Sequence, residues 1–186
     1  MPVSLASTSA SSMHGALVPI AYATGSGSAN GVNFTNIPQN YQDLFLVVNG
    51  GNSTSGADTP ILVTFNGVYT TNLSYTYLSG NGSSASSARS SNAAIIMMDG
   101  TASGSATSTI PGSYIAHILN YANTSTYKTI LCRSAEDNNG SGQTALTVGL
   151  LRSTSAISSF YVAQNSGNNT PTTTKFALYG VRTVGQ

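Results

Sequence analysis

Charged side chains are scarce in this sequence. Asp, Glu, Lys and Arg together supply 6% of its 186 residues, whereas roughly a quarter is usual in soluble domains. Six Lys and Arg face five Asp and Glu, so the formal net charge is +1. No strong field exists to gather phosphates, and nucleic acid is therefore not an expected partner. A nearly neutral surface does little to keep copies apart, which suits a subunit of an assembly better than a free monomer.

Cysteine and histidine are almost missing as well, with one Cys and two His in the chain. Cys132 occupies an apolar-alternating segment, which is typical of a buried thiol, and a single Cys excludes an intramolecular disulfide. Neither His14 nor His117 has a cluster of Cys or carboxylates beside it in the sequence. The sequence therefore predicts no metal site and no cofactor.

Catalytic motifs are absent too. Among the carboxylates, only Glu136 and Asp137 form a close pair, and they occupy a Gly/Asn-rich turn that is typical of solvated side chains. The serines include no G-x-S-x-G motif, and "GNGSSAS" lacks the lysine of a phosphate-binding loop. Two carboxylates from distant loops would suit a glycosidase, but nothing in the sequence selects such a pair. The sequence predicts a protein that is not an enzyme.

The N-terminal residues contain no long hydrophobic run. They lack a basic segment, and their apolar patch at 16–23 is interrupted by Pro19. Neither a signal peptide nor a membrane span is predicted. We expect a chain that is made in a cytoplasm and has no membrane partner.

Strand-like alternation is what the sequence does contain. About ten alternating or β-branched segments are separated by turns rich in Gly, Asn and Ser. They span residues 32–37, 43–48, 60–66, 72–78, 93–98, 113–120, 126–133, 144–151, 157–163 and 174–182. No segment has convincing helical periodicity. The pattern predicts an all-β fold, an antiparallel β-sandwich that is jelly-roll-like.

The apolar positions of these segments predict the interior of the sandwich. A chain of this length suits one domain with a substantial core. The predicted core residues are Phe45, Val47, Leu62, Val63, Phe65, Ile130, Leu146, Val148, Phe160, Val162, Phe176 and Leu178.

The N-terminal segment differs in composition from the rest of the chain. Ser, Ala and Gly dominate it, and its one apolar group is "ALVPIAYA" at 16–23. We predict an extended N-terminal arm over residues 1–29 and a β-sandwich domain over residues 30–186. The arm residues predicted to dock on a neighbouring surface are Leu17, Val18, Ile20 and Tyr22. An ordinary first strand of the same sandwich explains the pattern equally well, and both interpretations stay open at this stage.

A second unusual segment runs from Ser79 to Asn92. Its fourteen residues are small and uncharged apart from Arg89, and a connection of this length is longer than most. We predict a loop, lying flat along a neighbouring subunit or free at the surface. Arg89 and Arg152 are lone cations, so each is expected to meet a carboxylate or backbone carbonyls, within the subunit or across an interface.

Two further segments predict turns with polar or aromatic side chains. Asp43 follows the turn "IPQNY", where it either accepts backbone N–H groups or is solvated. Tyr121 and Tyr127 flank the turn in "NYANTSTYKT". Packing of these rings on the end of the sandwich is the preferred interpretation, and stacking on a glycan is the alternative.

Several longer stretches carry a family resemblance. They are "VNFTNIPQNYQDLFLVVNG", "LSYTYLSGNGSSASSARSSN", "NYANTSTYKTILCRS", "VGLLRSTSAISSFYVAQNSGN" and "TKFALYGVR". Their shared patterns are F-x-x-I-P-x-x-Y-x-D-L, NYANT-x-x-YK, and LYG followed by an aliphatic residue. Over residues 32–182 the chain resembles a family of β-sandwich domains from the particles of tailed phages, both head decoration proteins and tips of tail fibres.

The resemblance implies a non-enzymatic structural protein of the virion, with a jelly roll that is commonly trimeric. The short arm and chain length favour a capsid decoration (cement) protein on the outer capsid surface, bridging capsomers. Its expected partners are the major capsid protein and itself, as a homotrimer. The residues expected at the interface with the capsid or a neighbouring subunit are Leu17, Val18, Ile20, Tyr22 and Arg89. The alternative is a tail-associated receptor-binding module whose loops hold a host surface glycan.

Overall fold

The structure, a computed structural model, shows an all-β chain. It describes residues 16–50, 61–67, 71–98, 111–137, 139–140, 142–164 and 169–182. Within these residues the chain forms twelve strands and no helix. The strands are β1 (Leu17–Thr24), β2 (Gly31–Phe34), β3 (Asp43–Gly50), β4 (Ile61–Phe65), β5 (Leu73–Gly80), β6 (Ala85–Ala93), β7 (Ile96–Met97), β8 (Gly112–Ile118), β9 (Lys128–Glu136), β10 (Gln143–Leu151), β11 (Phe160–Gln164) and β12 (Lys175–Val181).

The strands form two antiparallel sheets that pack together. The large sheet has eight strands in the order β1-β12-β3-β8-β9-β10-β5-β6, and the small sheet has four in the order β2-β11-β4-β7. The predicted antiparallel β-sandwich is therefore confirmed. The eight strands β1 to β4, β7, β8, β11 and β12 have the order of a jelly roll. Two added hairpins, β5–β6 and β9–β10, widen the large sheet through the pairing of β10 with β5.

Asparagine side chains account for many of the sharp turns between these strands. Five described asparagines have positive φ, a conformation that Asn tolerates better than most residues because its short side chain bonds to nearby backbone. They are Asn36, Asn66, Asn92, Asn120 and Asn139. The Asn-rich composition of the turns thus has a direct backbone cause.

The core lies between the two sheets and is built from strands of both. Phe160 is fully buried in the small sheet, and its ring centroid lies 5.1 Å from that of Phe34 and 6.2 Å from that of Phe65. Across the interior, Ile96 packs closely on Gly149, where a Cβ atom would lie 2.5 Å from the Ile96 side chain. A glycine is therefore required in β10 for the two sheets to approach at this point.

All ten predicted strand segments correspond to observed strands. Of the other two strands, β1 was predicted only as an alternative to an arm, and β6 was predicted as a loop. The prediction of an extended arm over residues 1–29 is wrong for residues 17–24, which form β1 and pair with β12 of the same chain. The alternative of an ordinary first strand is the one observed. Burial against β12 and the core explains the difference, since Ile20, Ala21 and Ala23 pack on it. Residues 1–15 lie outside the described residues.

The loop predicted from Ser79 to Asn92 is also wrong. Most of it forms the edge strand β6, which pairs with β5 after a tight turn. The Asn81 side chain organises that turn by accepting hydrogen bonds from the backbone N–H groups of Ser83 and Ser84 at 3.0 and 2.8 Å. Small polar residues have weak intrinsic strand preference, so pairing with β5 decides the conformation.

The predicted core is right for most residues and inverted for others. Val63, Phe65, Ile130, Phe160, Val162, Phe176 and Leu178 are buried. Phe45 and Val47 are only partly buried, and Leu146 and Val148 are exposed, all on the opposite face of the large sheet. Leu62 is partly buried in the small sheet. The inward positions of β10 are Ala145, Thr147, Gly149 and Leu151 instead.

Candidate interaction surface

The sequence patterns that carry the family resemblance converge at one end of the sandwich. Asp43 of β3 is buried, and its Oδ1 accepts a hydrogen bond of 2.7 Å from the backbone N–H of Asn120. Its Oδ2 lies 2.9 Å from Nε2 of His117 in β8. Of the two interpretations of Asp43, the acceptor of a backbone N–H group is the one observed. The carboxylate thus ties β3 to β8 and to the turn that follows β8.

Tyr121 continues the same network. Its ring is fully buried, its hydroxyl donates to the carbonyl of Pro38, and it accepts a hydrogen bond of 3.4 Å from the N–H of Tyr41. The Tyr41 ring lies over Gly180, where a Cβ atom would come within 2.3 Å of it. Residues of the three sequence patterns that carry the resemblance therefore contact one another. Burial also raises the pKa of the Tyr121 hydroxyl.

Lys128 closes this end of the sandwich with a buried ammonium group. Its side chain is fully buried, and Nζ donates to the carbonyls of Thr126, Ser153 and Thr154 at 3.1, 3.2 and 2.8 Å. Burial lowers the pKa of this ammonium group. Three carbonyl partners and no exposure define a structural role. The residues of the three sequence patterns thus stabilise the fold. A surface for binding a partner is formed by other residues.

The broadest surface available for binding is the outer face, which we define as the face of the large sheet that points away from the small sheet. Residues opposite one another on neighbouring strands share a face. The pairing registers place one line of residues across seven strands, which we call the Leu146 row. Its members are Leu78, Leu146, Arg133, Ile115, Val47, Ala177 and Tyr22.

A second line lies two residues further along each strand, or three in β1 because of the irregularity between Pro19 and Ala21, and we call it the Leu131 row. Its members are Thr76, Val148, Leu131, His117, Phe45, Tyr179 and Pro19. On the other side of the Leu146 row the neighbouring positions are small or polar. They are Gly80, Thr144, Ala135, Ser113, Asn49, Lys175 and Thr24. The outer face is therefore an apolar band with a polar border.

The aliphatic side chains of this band are exposed to solvent. Seven large hydrophobic side chains are exposed in the described part of the chain, and six of them lie on the outer face. These six are Leu17, Tyr22, Leu78, Leu131, Leu146 and Val148. Scattered apolar side chains are ordinary on a protein surface, but a continuous band of them marks an interaction site. We identify the outer face as the candidate functional site.

The centre of the band is held rigidly. The imidazole of His117 stacks on the ring of Phe45, with the centroids 4.3 Å apart and an interplanar angle of 16°. The bond from His117 to Asp43 fixes the other side of the ring. The stacking and the hydrogen bond together hold the His117 ring in one position at the centre of the face.

Two shallow depressions flank the exposed pair Leu78 and Leu146. One, of about 390 Å³, is lined by both leucines and by Arg133. The other, of about 460 Å³, is lined by Thr76, Val148 and Arg89 among others. Each depression therefore combines aliphatic side chains with one guanidinium group.

The predicted interface residues are only partly brought together. Leu17 and Tyr22 are exposed on the outer face, where Leu17 lies opposite Val181 beside the Leu131 row. Val18 and Ile20 are partly buried. Arg89 is exposed and lies opposite Thr76, at the far edge of the sheet from β1. The prediction missed Leu131, Leu146 and Val148, because strand alternation alone does not reveal which face points inward.

A second concave site lies where the hairpin turns β5–β6 and β9–β10 meet. It has a volume of about 550 Å³ and is lined by polar groups that include Asn81, Glu136, Asp137 and Gln143. Asp137 is partly engaged, since its Oδ1 accepts a hydrogen bond of 2.7 Å from the N–H of Gly140. No described lining residue is aromatic, so the site lacks a stacking platform for a sugar ring.

Among the described residues, no group of three or more His, Cys, Asp or Glu is placed to hold a metal ion. The same residues include no helix that is long and apolar enough to cross a membrane. Comparisons of the chain with protein-family models, curated proteins and solved structures find no match.

Proposed function

We propose that this chain is a non-enzymatic structural protein of a phage virion, a capsid decoration protein that bridges subunits of the major capsid protein. The observation that carries the proposal is the apolar band of the outer face, with six exposed large hydrophobic side chains on one rigid sheet. An apolar band of this kind is suited to binding another protein surface. The phage assignment comes from the sequence patterns, and the decoration role from the wide apolar face.

A wide sheet face suits a decoration protein because it spreads the contacts over a broad partner surface. Such a protein lies on a broad shell, so its contacts are spread over a sheet face and are not concentrated in a cleft. Self-association as a homotrimer, which the resemblance implies, would multiply these contacts through a raised effective concentration.

The second candidate is a tail-associated receptor-binding module, favoured by the polar cleft between the two hairpin turns. Its amide and carboxylate groups suit the hydroxyls of a glycan, and loop tips often carry recognition sites. The missing aromatic platform places this candidate second.

The test is the copy number and location of the protein in purified particles of the phage that encodes it. Quantitative mass spectrometry should find the protein at a stoichiometry comparable to that of the major capsid protein, on tail-less heads as well as on whole particles. A small fraction of that amount, confined to tails, would favour the receptor-binding module. Absence from purified particles would overturn both candidates.

A further inference from the structure

We propose that the partner surface bound by the outer face is acidic, with carboxylates that meet Arg133 and Arg89 between apolar contacts. The inference rests on the proposed function and names the chemistry of the capsid surface that this face recognises. It starts from an imbalance of charge: the chain as a whole has a net charge of +1, but the charges on this face are mostly positive.

The two guanidinium groups are exposed and available. Arg133 lies within the Leu146 row, directly opposite Leu146 and Ile115 on the neighbouring strands, and Arg89 lies opposite Thr76. No described residue forms an ion pair with either side chain; the ion pair found in the described part of the chain joins His117 to Asp43. Arg152 differs, because its Nη2 donates to the carbonyl of Thr71 at 2.6 Å.

The described residues of this face include no carboxylate that is free to pair with these cations. Asp43 is the one described acidic residue on it, and both of its oxygens are engaged, one by His117 and one by the N–H of Asn120. Lys175 adds a third cation at the polar border. An approaching surface therefore meets cations set among leucines and valines, which favours carboxylates on the partner.

The same charges argue against a second copy of this chain as the occupant. Two outer faces in contact would bring Arg133 and Arg89 of both copies into one interface, without free described carboxylates to neutralise them. Like charges brought together in an interface cost several kcal/mol as a rule. A two-fold dimer formed by two outer faces is therefore disfavoured.

The size and shape of the face favour a protein over a lipid bilayer. Seven strands spaced about 4.8 Å apart, with three rows of residues (the two apolar rows and the polar border) spaced about 6.8 Å apart along the strands, cover roughly 700 Å². A standard protein interface buries about 800 Å² on each partner. Binding to a bilayer surface usually relies on apolar side chains that project into the lipid, whereas the rings of His117 and Phe45 at the centre of this face are stacked on each other and only partly exposed.

The two depressions provide binding positions for carboxylates of the partner. An acidic side chain that enters the depression beside Arg133 would meet one guanidinium and the aliphatic walls of Leu78 and Leu146. The depression beside Arg89 pairs a guanidinium with Val148. A guanidinium can hold a carboxylate through two parallel hydrogen bonds, which adds orientation to affinity.

The experiment adds purified full-length protein to phage particles produced from a genome that lacks this gene, and measures the amount bound after sedimentation. We expect Arg133→Glu to reduce binding at least about tenfold. Arg133→Lys should keep most of the binding, because it keeps the charge. Asn33→Glu is the control, since it adds a glutamate at an exposed position of the small sheet and should bind like the wild type. Circular dichroism and thermal unfolding establish that every variant is folded.

Cross-linking identifies the partner group directly. The Arg133→Lys variant carries an amine that a carbodiimide couples to a carboxylate in contact with it. Coupling to an Asp or Glu of the major capsid protein supports the proposal. Coupling to a carboxylate of a second copy overturns it, as does binding of Arg133→Glu that equals the wild type.

Two further outcomes separate this inference from the proposed function. If the wild-type protein does not bind the particles at all, the decoration function fails and the inference falls with it. If the wild type binds and no outer-face variant weakens binding, the function stands and the inference alone is overturned. Flotation with vesicles of equal parts phosphatidylcholine and phosphatidylglycerol covers the lipid alternative: binding that depends on Arg133 would also overturn the proposal.

Discussion

Asp43 and His117 link strands β3 and β8, with 2.9 Å between Oδ2 and Nε2. The pair lies on the outer face of the large sheet, where it engages one oxygen of the one described carboxylate there. His117 also stacks on Phe45. One contact thus contributes both to the stability of the sandwich end and to the position of the His117 ring on the candidate binding surface.

The first prediction concerns this carboxylate. Asp43→Ala leaves the N–H of Asn120 and the ring of His117 without their acceptor, in a site where Asp43 is only 6% exposed. We expect the free energy of unfolding to fall by about 1–3 kcal/mol, measured by urea denaturation. Asp137→Ala, which removes an acceptor in an exposed turn, is the control and should cost less. Equal losses for the two variants would contradict a structural role for Asp43.

The second prediction concerns Lys128. Lys128→Met keeps much of the side-chain volume but leaves the carbonyls of Thr126, Ser153 and Thr154 without their shared donor. Because three carbonyl oxygens lose the charged donor that they share, we expect a loss of about 1–3 kcal/mol of unfolding free energy. Lys175→Met at an exposed position should change it by less than about 1 kcal/mol. A neutral Lys128→Met would show that relaxation or water replaces the ammonium group.

The third prediction is a dependence of stability on pH. Burial raises the pKa of Tyr121 in the folded state, whereas an exposed tyrosine in the unfolded chain titrates near about 10. The stabilisation from neutral Tyr121 is therefore complete below about pH 10 and is lost as the pH rises through the folded-state pKa. The pKa of Tyr75 is raised for the same reason and acts with the same sign. The free energy of unfolding should decline above about pH 10, and less steeply in Tyr121→Phe. Parallel declines for the variant and the wild type would contradict this assignment.

The fourth prediction compares the core with the outer face of the large sheet. Phe65 is 2% exposed, whereas Leu146 is 54% exposed. Phe65→Ala should lower the free energy of unfolding of the isolated chain by about 3–5 kcal/mol. Leu146→Ser should lower it by less than about 1 kcal/mol, since little of the leucine is removed from water on folding. A large loss for Leu146→Ser would mean that this face is covered in the isolated chain.

The sequence by itself determined the fold class and the positions of ten strands. Alternation of apolar and polar residues, with Gly- and Asn-rich turns between, is a local property of the sequence. It indicates a strand directly, because successive side chains of a strand point to opposite faces. The buried Phe65 and Phe160 follow from the same local pattern. The scarcity of charge predicted that Arg152 meets a carboxylate or backbone carbonyls, and it meets carbonyls.

Only the tertiary structure decided which face of each strand points inward, and with it the candidate site. In β10 both faces carry apolar residues, and the close approach of Ile96 to Gly149 turns the small residues inward and leaves Leu146 and Val148 outside. The strand character of β6 likewise depends on pairing with β5, since its small polar residues favour no local conformation strongly. The apolar band itself joins residues from seven strands between Tyr22 and Tyr179. It exists only through their registers, because contacts between residues so far apart in the chain are set by packing of the whole sheet and not by local pattern.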